Sequence, residues 1–246
     1  MKYLLVLHFS VFMMIIDTID ILLYKTKTMF ELNKLYNINC MEGMAQFPDK
    51  YFDLAIVDPP YGIGMDDWKK RTKPSRPNSL NYKRKYSGGG WDDKKPTKKY
   101  INELIRISNN QIVFGANYFP SLLQDGHGWI FWDKDNGLNN QFSDGEFIYK
   151  SFGVLSKYFK CSAFRELNGG KDRIHPTQKP VQLYKWILHN YAKPDMKIID
   201  THAGSCSSVI AFLDYGCDWI AFEIDKDYYE AASKRIEIHK QQLKLF

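Results

Sequence analysis

Two adjacent prolines at the end of an apolar run constrain this chain most. Asp53-Leu54-Ala55-Ile56-Val57 reads as a short buried strand, and Asp58-Pro59-Pro60-Tyr61-Gly62 follows it without a break. Each proline ring fixes φ near about −65° and removes a backbone N–H, so the strand cannot continue into a sheet interior past Asp58. What remains is a rigid turn rich in acceptors and poor in donors. An ionised Asp58 accepts only, and with the Pro59 carbonyl it can take both hydrogens of an exocyclic amino group, while Tyr61 offers a ring for stacking on a flat base. Taken alone, the same residues also suit an ordinary Pro-Pro turn after a strand.

From Leu35 onward short apolar runs alternate with amphipathic stretches, which is the pattern of a mostly parallel sheet with helices on both faces. Strands are expected at 35–39, 53–57, 111–115, 128–132, 145–150, 196–200 and 218–223, and helices at 97–108, 180–191, 205–214 and 226–241. The α/β domain expected is a single one, over residues 29–246. The apolar stretch Tyr3–Ile16 is shorter than the about 18 residues a membrane span needs, and Asp17 and Asp20 follow it with no small-residue cleavage site. Residues 1–28 therefore read as an extension from an upstream start codon, and not as an anchor.

The net charge of +6 is unevenly placed. Residues 66–99 hold twelve Lys/Arg against four Asp, so this stretch carries +8 and the rest of the chain −2. Lys69, Lys70, Arg71, Lys83, Arg84 and Lys85 stand there among Tyr82, Tyr86, Trp91 and the run Gly88-Gly89-Gly90. Cations interleaved with aromatics suit a phosphate-contacting arm, although a solvated insert has the same composition. The four cysteines form neither a CxxC pair nor a cluster with His at zinc-ligand spacing, so no disulfide framework and no metal is indicated, and a reducing cytoplasm is the expected setting.

The C-terminal third resembles a nucleotide-binding unit. Lys197-Ile198-Ile199-Asp200 is a strand ending in an acid, and His202-Ala203-Gly204-Ser205-Cys206-Ser207-Ser208 is a tight small-residue turn that opens a helix. Glu223 ends the next strand, nineteen residues past Gly204, a spacing that places a carboxylate on ribose hydroxyls. The turn lacks GxGxxG, which favours a nucleoside without a pyrophosphate. Between this unit and the proline turn, His175-Pro176-Thr177-Gln178-Lys179-Pro180 presents a hydroxyl and a cation just ahead of a helix.

Together these segments resemble the amino-methyltransferase family of DNA modification enzymes. The family's DPPY motif is matched by residues 58–61, its TQKP segment by 177–180, and its DPFxGSGTT turn, in degenerate form, by 200–208. Weaker matches are Asn37–Cys40, Trp129–Lys134 and Phe142–Glu146. The order, with the DPPY turn first and the DPFxGSGTT turn last, resembles the permuted β group. The resemblance implies a Rossmann-like S-adenosylmethionine-dependent methyltransferase fold of about seven strands, acting on double-stranded DNA and with no membrane; a cognate restriction endonuclease and a homodimer are both left open by the sequence. It implies that Asp58, Pro59, Pro60 and Tyr61 hold and stack the target base. It also implies that Asp200, His202, Gly204, Ser205 and Cys206 line the methionine side of S-adenosylmethionine, with Glu223 on its ribose, Thr177 and Lys179 towards its carboxylate, and Asn39 nearby. DPPY points to adenine N6. The alternatives are cytosine N4, for which SPPY is the usual sign, and a silent DNA-binding relative, because Cys206 replaces a glycine, His202 an aromatic and Asn39 an aspartate.

Overall fold

Strand β2 (Phe52–Val57) is central because it is apolar on both sides: Leu54 and Ile56 point into one core, Ala55 and Val57 into the other. The structure, a computed structural model, describes residues 30–64, 92–125, 128–136, 143–166 and 173–243. Residues 1–28, expected to be an extension, and Lys69, Lys70, Arg71, Lys83, Arg84 and Lys85, expected to lie in a phosphate-contacting arm, fall outside the described residues.

The described elements are, in order, β1 (Lys34–Asn37), α1 (Cys40–Met44), β2, α2 (Lys98–Ile107), β3 (Ser108–Phe114), β4 (Trp129–Asp133), β5 (Gly145–Lys150), β6 (Lys157–Lys160), α3 (Ala163–Glu166), α4 (Val181–Tyr191), β7 (Lys197–Asp200), α5 (Ser207–Tyr215), β8 (Asp218–Glu223) and α6 (Lys226–Leu243). The eight strands form one sheet in the order β1-β8-β7-β2-β3-β5-β4-β6. Every pairing is parallel except those of β5, which runs against both neighbours, β3 and β4. One face is covered by α4, α5 and α6 through Leu183, Ile187, Phe212 and Ile236, and the other by α1 and α2 through Met44, Ile101, Leu104 and Ile107. Among the described residues no helix is long and apolar enough to cross a membrane.

The chain forms the expected mostly parallel sheet with helices on both faces. Among the described residues there is one strand more than expected, β6, whose sequence Lys-Tyr-Phe-Lys has too little apolar character to stand out and which pairs with β4 at the sheet edge. The helix expected from residue 205 begins at Ser207 because Cys206 adopts φ +56°, outside helical space. Pro180 caps α4 from outside, and the Glu166 carboxylate receives the exposed N–H groups of Val181 (2.5 Å) and Gln182 (3.2 Å).

From β2 the chain goes one way along the sheet to β3, and from β7 it goes the other way to β8, with β7 and β2 adjacent. In an open α/β sheet the crevice for a ligand lies beyond the carboxyl ends of the strands at such a reversal. Asp58, Asp200 and Glu223 all end strands at this edge. Because β5 is reversed, its first residues, including Glu146, come to the same edge opposite Trp132.

Candidate active site

The turn after β2 is held from outside its own segment. With Pro59 and Pro60 supplying no N–H, the first donors available are Tyr61 and Gly62, and both bond to Asp92 Oδ1, at 2.7 and 2.9 Å. Asp92 is buried. The Tyr61 ring stacks on Tyr118 with centroids 5.2 Å apart and planes 18° from parallel. Gly115 lies against the same ring: its φ is +60°, and a Cβ there would stand 2.2 Å from ring carbons of Tyr61. Only glycine meets both conditions.

Two side chains, Lys179 and Tyr61, bridge the carboxylates of Asp58 and Glu146. Lys179 Nζ donates to Asp58 Oδ2 at 2.6 Å and to the Tyr61 hydroxyl at 3.0 Å, and lies 3.3 Å from Glu146 Oε1. The Tyr61 hydroxyl lies 2.5 Å from both Asp58 Oδ1 and Glu146 Oε1, so its single proton is shared between two carboxylates. On its other oxygen Glu146 meets Lys134 Nζ at 3.2 Å. Burial is nearly complete for Lys179 and Glu146, at 5% and 7% exposure, and less so for Asp58, at 17%.

Electrostatics separate the two carboxylates. Burial raises the Asp58 carboxyl above its ordinary range against the pull of Lys179, and the negative Glu146 raises it further. Burial also opposes ionisation of Glu146, but there Lys179 and Lys134 together outweigh it and hold the carboxyl low. Desolvation disfavours the Lys179 ammonium, yet Asp58 and Glu146 overcome it and keep the amine charged. Asp58 and Glu146 thus share one buried cation, and the charge of each depends on that of the other.

On the β7–β8 side, Glu223 Oε2 accepts from Gly204 N at 2.7 Å and its Oε1 from Asp225 N at 2.8 Å. Gly204 has φ +50°, and next to it Cys206 also lies in the left-handed region. The Cys206 side chain is buried in the core under α4 and α5. Ser205 presents its carbonyl to Arg235 of α6 at 2.7 Å. Asp200 is committed within the turn: Oδ2 accepts from the Ser208 hydroxyl at 2.5 Å and Oδ1 from His202 N at 3.0 Å, while burial lifts its carboxyl to about 7. His202 contacts Tyr100 edge to face and the Thr201 hydroxyl through Nδ1, and burial lowers its imidazole to about 4. Asn39 caps α1, its Oδ1 accepting from Met41 N at 2.8 Å.

The loop His175–Pro180 joins the two halves. The His175 ring packs beside Gly204, 3.7 Å from where its Cβ would be, and Thr177 bonds to His175 Nδ1 at 3.1 Å. Four residues on, Lys179 reaches Asp58. The sequence-expected residues of the two turns and of this loop therefore gather at one sheet edge. Glu146, Asp92, Gly115 and Tyr118 are additions from the structure. Glu146 lies within a weakly matched segment, and Asp92 was counted with the arm's charges. The isolated residues Gly115 and Tyr118 carried no signal.

A family model described as DNA methylase matches residues 139–234. The chain is similar to the type II methyltransferase M1.MboII of Moraxella bovis, with 23% identity over 83% of this chain and 96% of the relative. Among solved structures it resembles the M1.HpyAVI–SAM complex, with TM-score 0.56 and 19% identity over 82% of this chain and 98% of the other. It also resembles the cytosine-N4-specific PvuII DNA methyltransferase, with TM-score 0.52 and 14% identity over 85% and 91%.

Proposed function

We propose that this chain, which belongs to the N6/N4 DNA methylase family, transfers a methyl group from S-adenosylmethionine to the N6 amino group of an adenine rotated out of double-stranded DNA. The observation that carries the reading is the joining of the two turns: His175 lies against Gly204 while Lys179, in the same loop, bonds to Asp58. A donor held at the β7–β8 turns and an amine held at the β2 turn then face each other across the switch between β7 and β2.

The residues fit the donor. The small-residue turn at Gly204 bonds to the Glu223 carboxylate, which can also accept from ribose hydroxyls, and Thr177 is held on His175, whose ring packs beside Gly204. Once bound, S-adenosylmethionine supplies a sulfonium methyl that needs no further activation. Asp58 and the Pro59 carbonyl accept the two amino hydrogens, which draws the nitrogen lone pair out of conjugation with the ring and aims it. The Asp58 charge also stabilises positive charge developing on that nitrogen. Orientation of this kind accounts for up to about 7–11 kcal/mol of a barrier. Rotating the base out costs a few kcal/mol, and cations of the 66–99 arm on the phosphates offset it.

Adenine is preferred over cytosine because an aspartate precedes the two prolines where the cytosine-N4 group usually has serine. The test is incubation of the full chain with labelled S-adenosylmethionine and duplex DNA, followed by nucleoside analysis. N6-methyladenine is the expected product. N4-methylcytosine would move the assignment to the second base, a reading supported by the similarity to the PvuII enzyme. No label in DNA, with no calorimetric binding of the methyl donor at millimolar concentration, would favour the silent DNA-binding relative. The reading extends to a cognate restriction endonuclease and to a homodimer, tested by cleavage protection of methylated host DNA and by light scattering.

A further inference from the structure

Glu146 arrives at the site by the reversal of β5 and belongs to neither of the two turns. Its carboxylate touches three groups: Lys179 (3.3 Å), the Tyr61 hydroxyl (2.5 Å) and Lys134 (3.2 Å). Two of these are also the groups that occupy Asp58. Lys179 caps Asp58 Oδ2 and Tyr61 caps Oδ1, so an amino group approaching Asp58 competes with both.

We propose that Glu146 is a positioning residue for methyl transfer: it supplies the second anion to which Lys179 and the Tyr61 hydroxyl turn when the substrate amine bonds to Asp58. This rests on the methyltransferase reading above. Lys179 has three N–H donors and already lies between the carboxylates, so a small shift towards Glu146 leaves one Asp58 oxygen free without moving a charge out of the site. The Tyr61 hydroxyl redirects its hydrogen bond the same way, from Asp58 Oδ1 to Glu146 Oε1, keeping its proton, since it is equidistant from both. With Asp58, Glu146, Lys179 and Lys134 all ionised, the cluster carries no net charge, and Asp58 keeps the negative charge that the reacting nitrogen needs. Without Glu146, Lys179 has one anion left to pair with, and the charge of Asp58 is cancelled.

The titratable groups around this pair are Tyr61 of the same turn, Tyr100 of α2, Lys134 after β4, Lys179 ahead of α4, Tyr184 of α4 and Asp200 at the end of β7. Of these, Lys179 and Tyr61 touch both Asp58 and Glu146. Removing the Glu146 charge takes away a repulsion on Asp58 and gives Lys179 to it alone, so the Asp58 carboxyl ionises more easily.

The experiment compares the wild-type chain with Glu146→Gln and Glu146→Asp. The Asp58 carboxyl is titrated by ¹³C NMR, assigned by its loss in Asp58→Asn, and single-turnover methyl transfer is followed against pH. For Glu146→Gln the Asp58 midpoint is expected to fall by about half a unit or more, with the plateau rate about tenfold or more lower and methyl-donor affinity within about threefold. Glu146→Asp keeps the charge and is expected to recover most of both, which also decides the matter should the Gln variant fail to fold. An Asp58 midpoint and a plateau rate both unchanged in Glu146→Gln would overturn the proposal, as would a rate loss that Glu146→Asp does not relieve. If wild type transfers no methyl to DNA, the functional reading fails instead, and the NMR midpoint still reports whether Glu146 tunes Asp58.

Discussion

Lys179 places its ammonium 2.6 Å from Asp58 Oδ2 across a separation of 121 residues in the chain. A buried pair of this kind is weak evidence for net stability, but removing one member leaves the other uncompensated, which costs about 3–5 kcal/mol. Lys179→Met leaves Asp58 and Glu146 facing each other with Lys134 bound to the far side of Glu146 alone. We expect a stability loss of about 3 kcal/mol in urea denaturation. We also expect the acid limb of the pH–rate profile to move to higher pH, because Asp58 loses the cation that favours its ionised form. An unmoved limb would show that Lys179 does not set the Asp58 charge.

Asp58→Ala removes the acceptor and leaves Lys179 with Glu146 as its partner. Methyl transfer should fall by at least about 10²-fold in kcat, with the dissociation constant for the methyl donor changed far less. Rapid-quench kinetics beside calorimetry separates the two quantities, and an active Asp58→Ala protein would refute the assignment.

Gly115→Ala sets a methyl group into the Tyr61 ring and places an L-residue at φ +60°. The backbone alone costs about 1 kcal/mol, and the ring must leave its stack on Tyr118. Activity should drop with little change in donor binding, and Tyr61 fluorescence or NMR shifts should report the displaced ring. A variant with wild-type kcat would show that the ring's placement is not critical.

Asp92→Ala strips the acceptor from two backbone N–H groups at once. Each orphaned buried donor costs about 1–3 kcal/mol unless water reaches it, so a stability loss of about 2 kcal/mol or more is expected by chemical denaturation, along with faster amide exchange at Tyr61 and Gly62. Exchange at those two amides equal to wild type would contradict the clamp.

His202→Phe changes the response to acid. Burial lowers His202 from 6.5 to about 4, so between those values the unfolded chain binds a proton that the folded chain does not, and stability falls as pH drops through this window. His175, lowered to about 3, acts in the same direction, whereas Asp200, raised to about 7, acts oppositely because its folded form takes up the proton first. With phenylalanine at 202 the edge contact to Tyr100 is retained and the first of these penalties is gone. Melting curves at about pH 7.5 and about pH 5 should show the variant losing about 2 kcal/mol less than wild type between them.

The architecture was legible where runs were long or punctuated. The apolar residues of β2, β7 and β8 and the periodic apolar positions of α4 and α6 announce themselves, and the prolines after Val57 mark the sheet edge. β6 was illegible because four residues flanked by lysines carry neither period nor apolar bulk, and α1 because Cys40–Met44 is little more than one turn. At the site, residues contiguous in sequence were readable: Asp58–Tyr61, His175–Pro180 and Gly204. Glu146 and Asp92 were not, since each acts through a contact made only when distant strands and turns are brought together. Lys179 was expected from its motif to face the methyl donor's carboxylate, and the structure places it instead on Asp58, Tyr61 and Glu146, a tertiary placement that no local pattern encodes.

Asp92 receives the N–H groups of Tyr61 and Gly62 on its side chain and that of Gly64 on its carbonyl, so three positions after the prolines are fixed by one residue. A substitution at Asp92 is therefore felt at Tyr61, 31 residues earlier in the chain, as directly as one made within the proline turn itself.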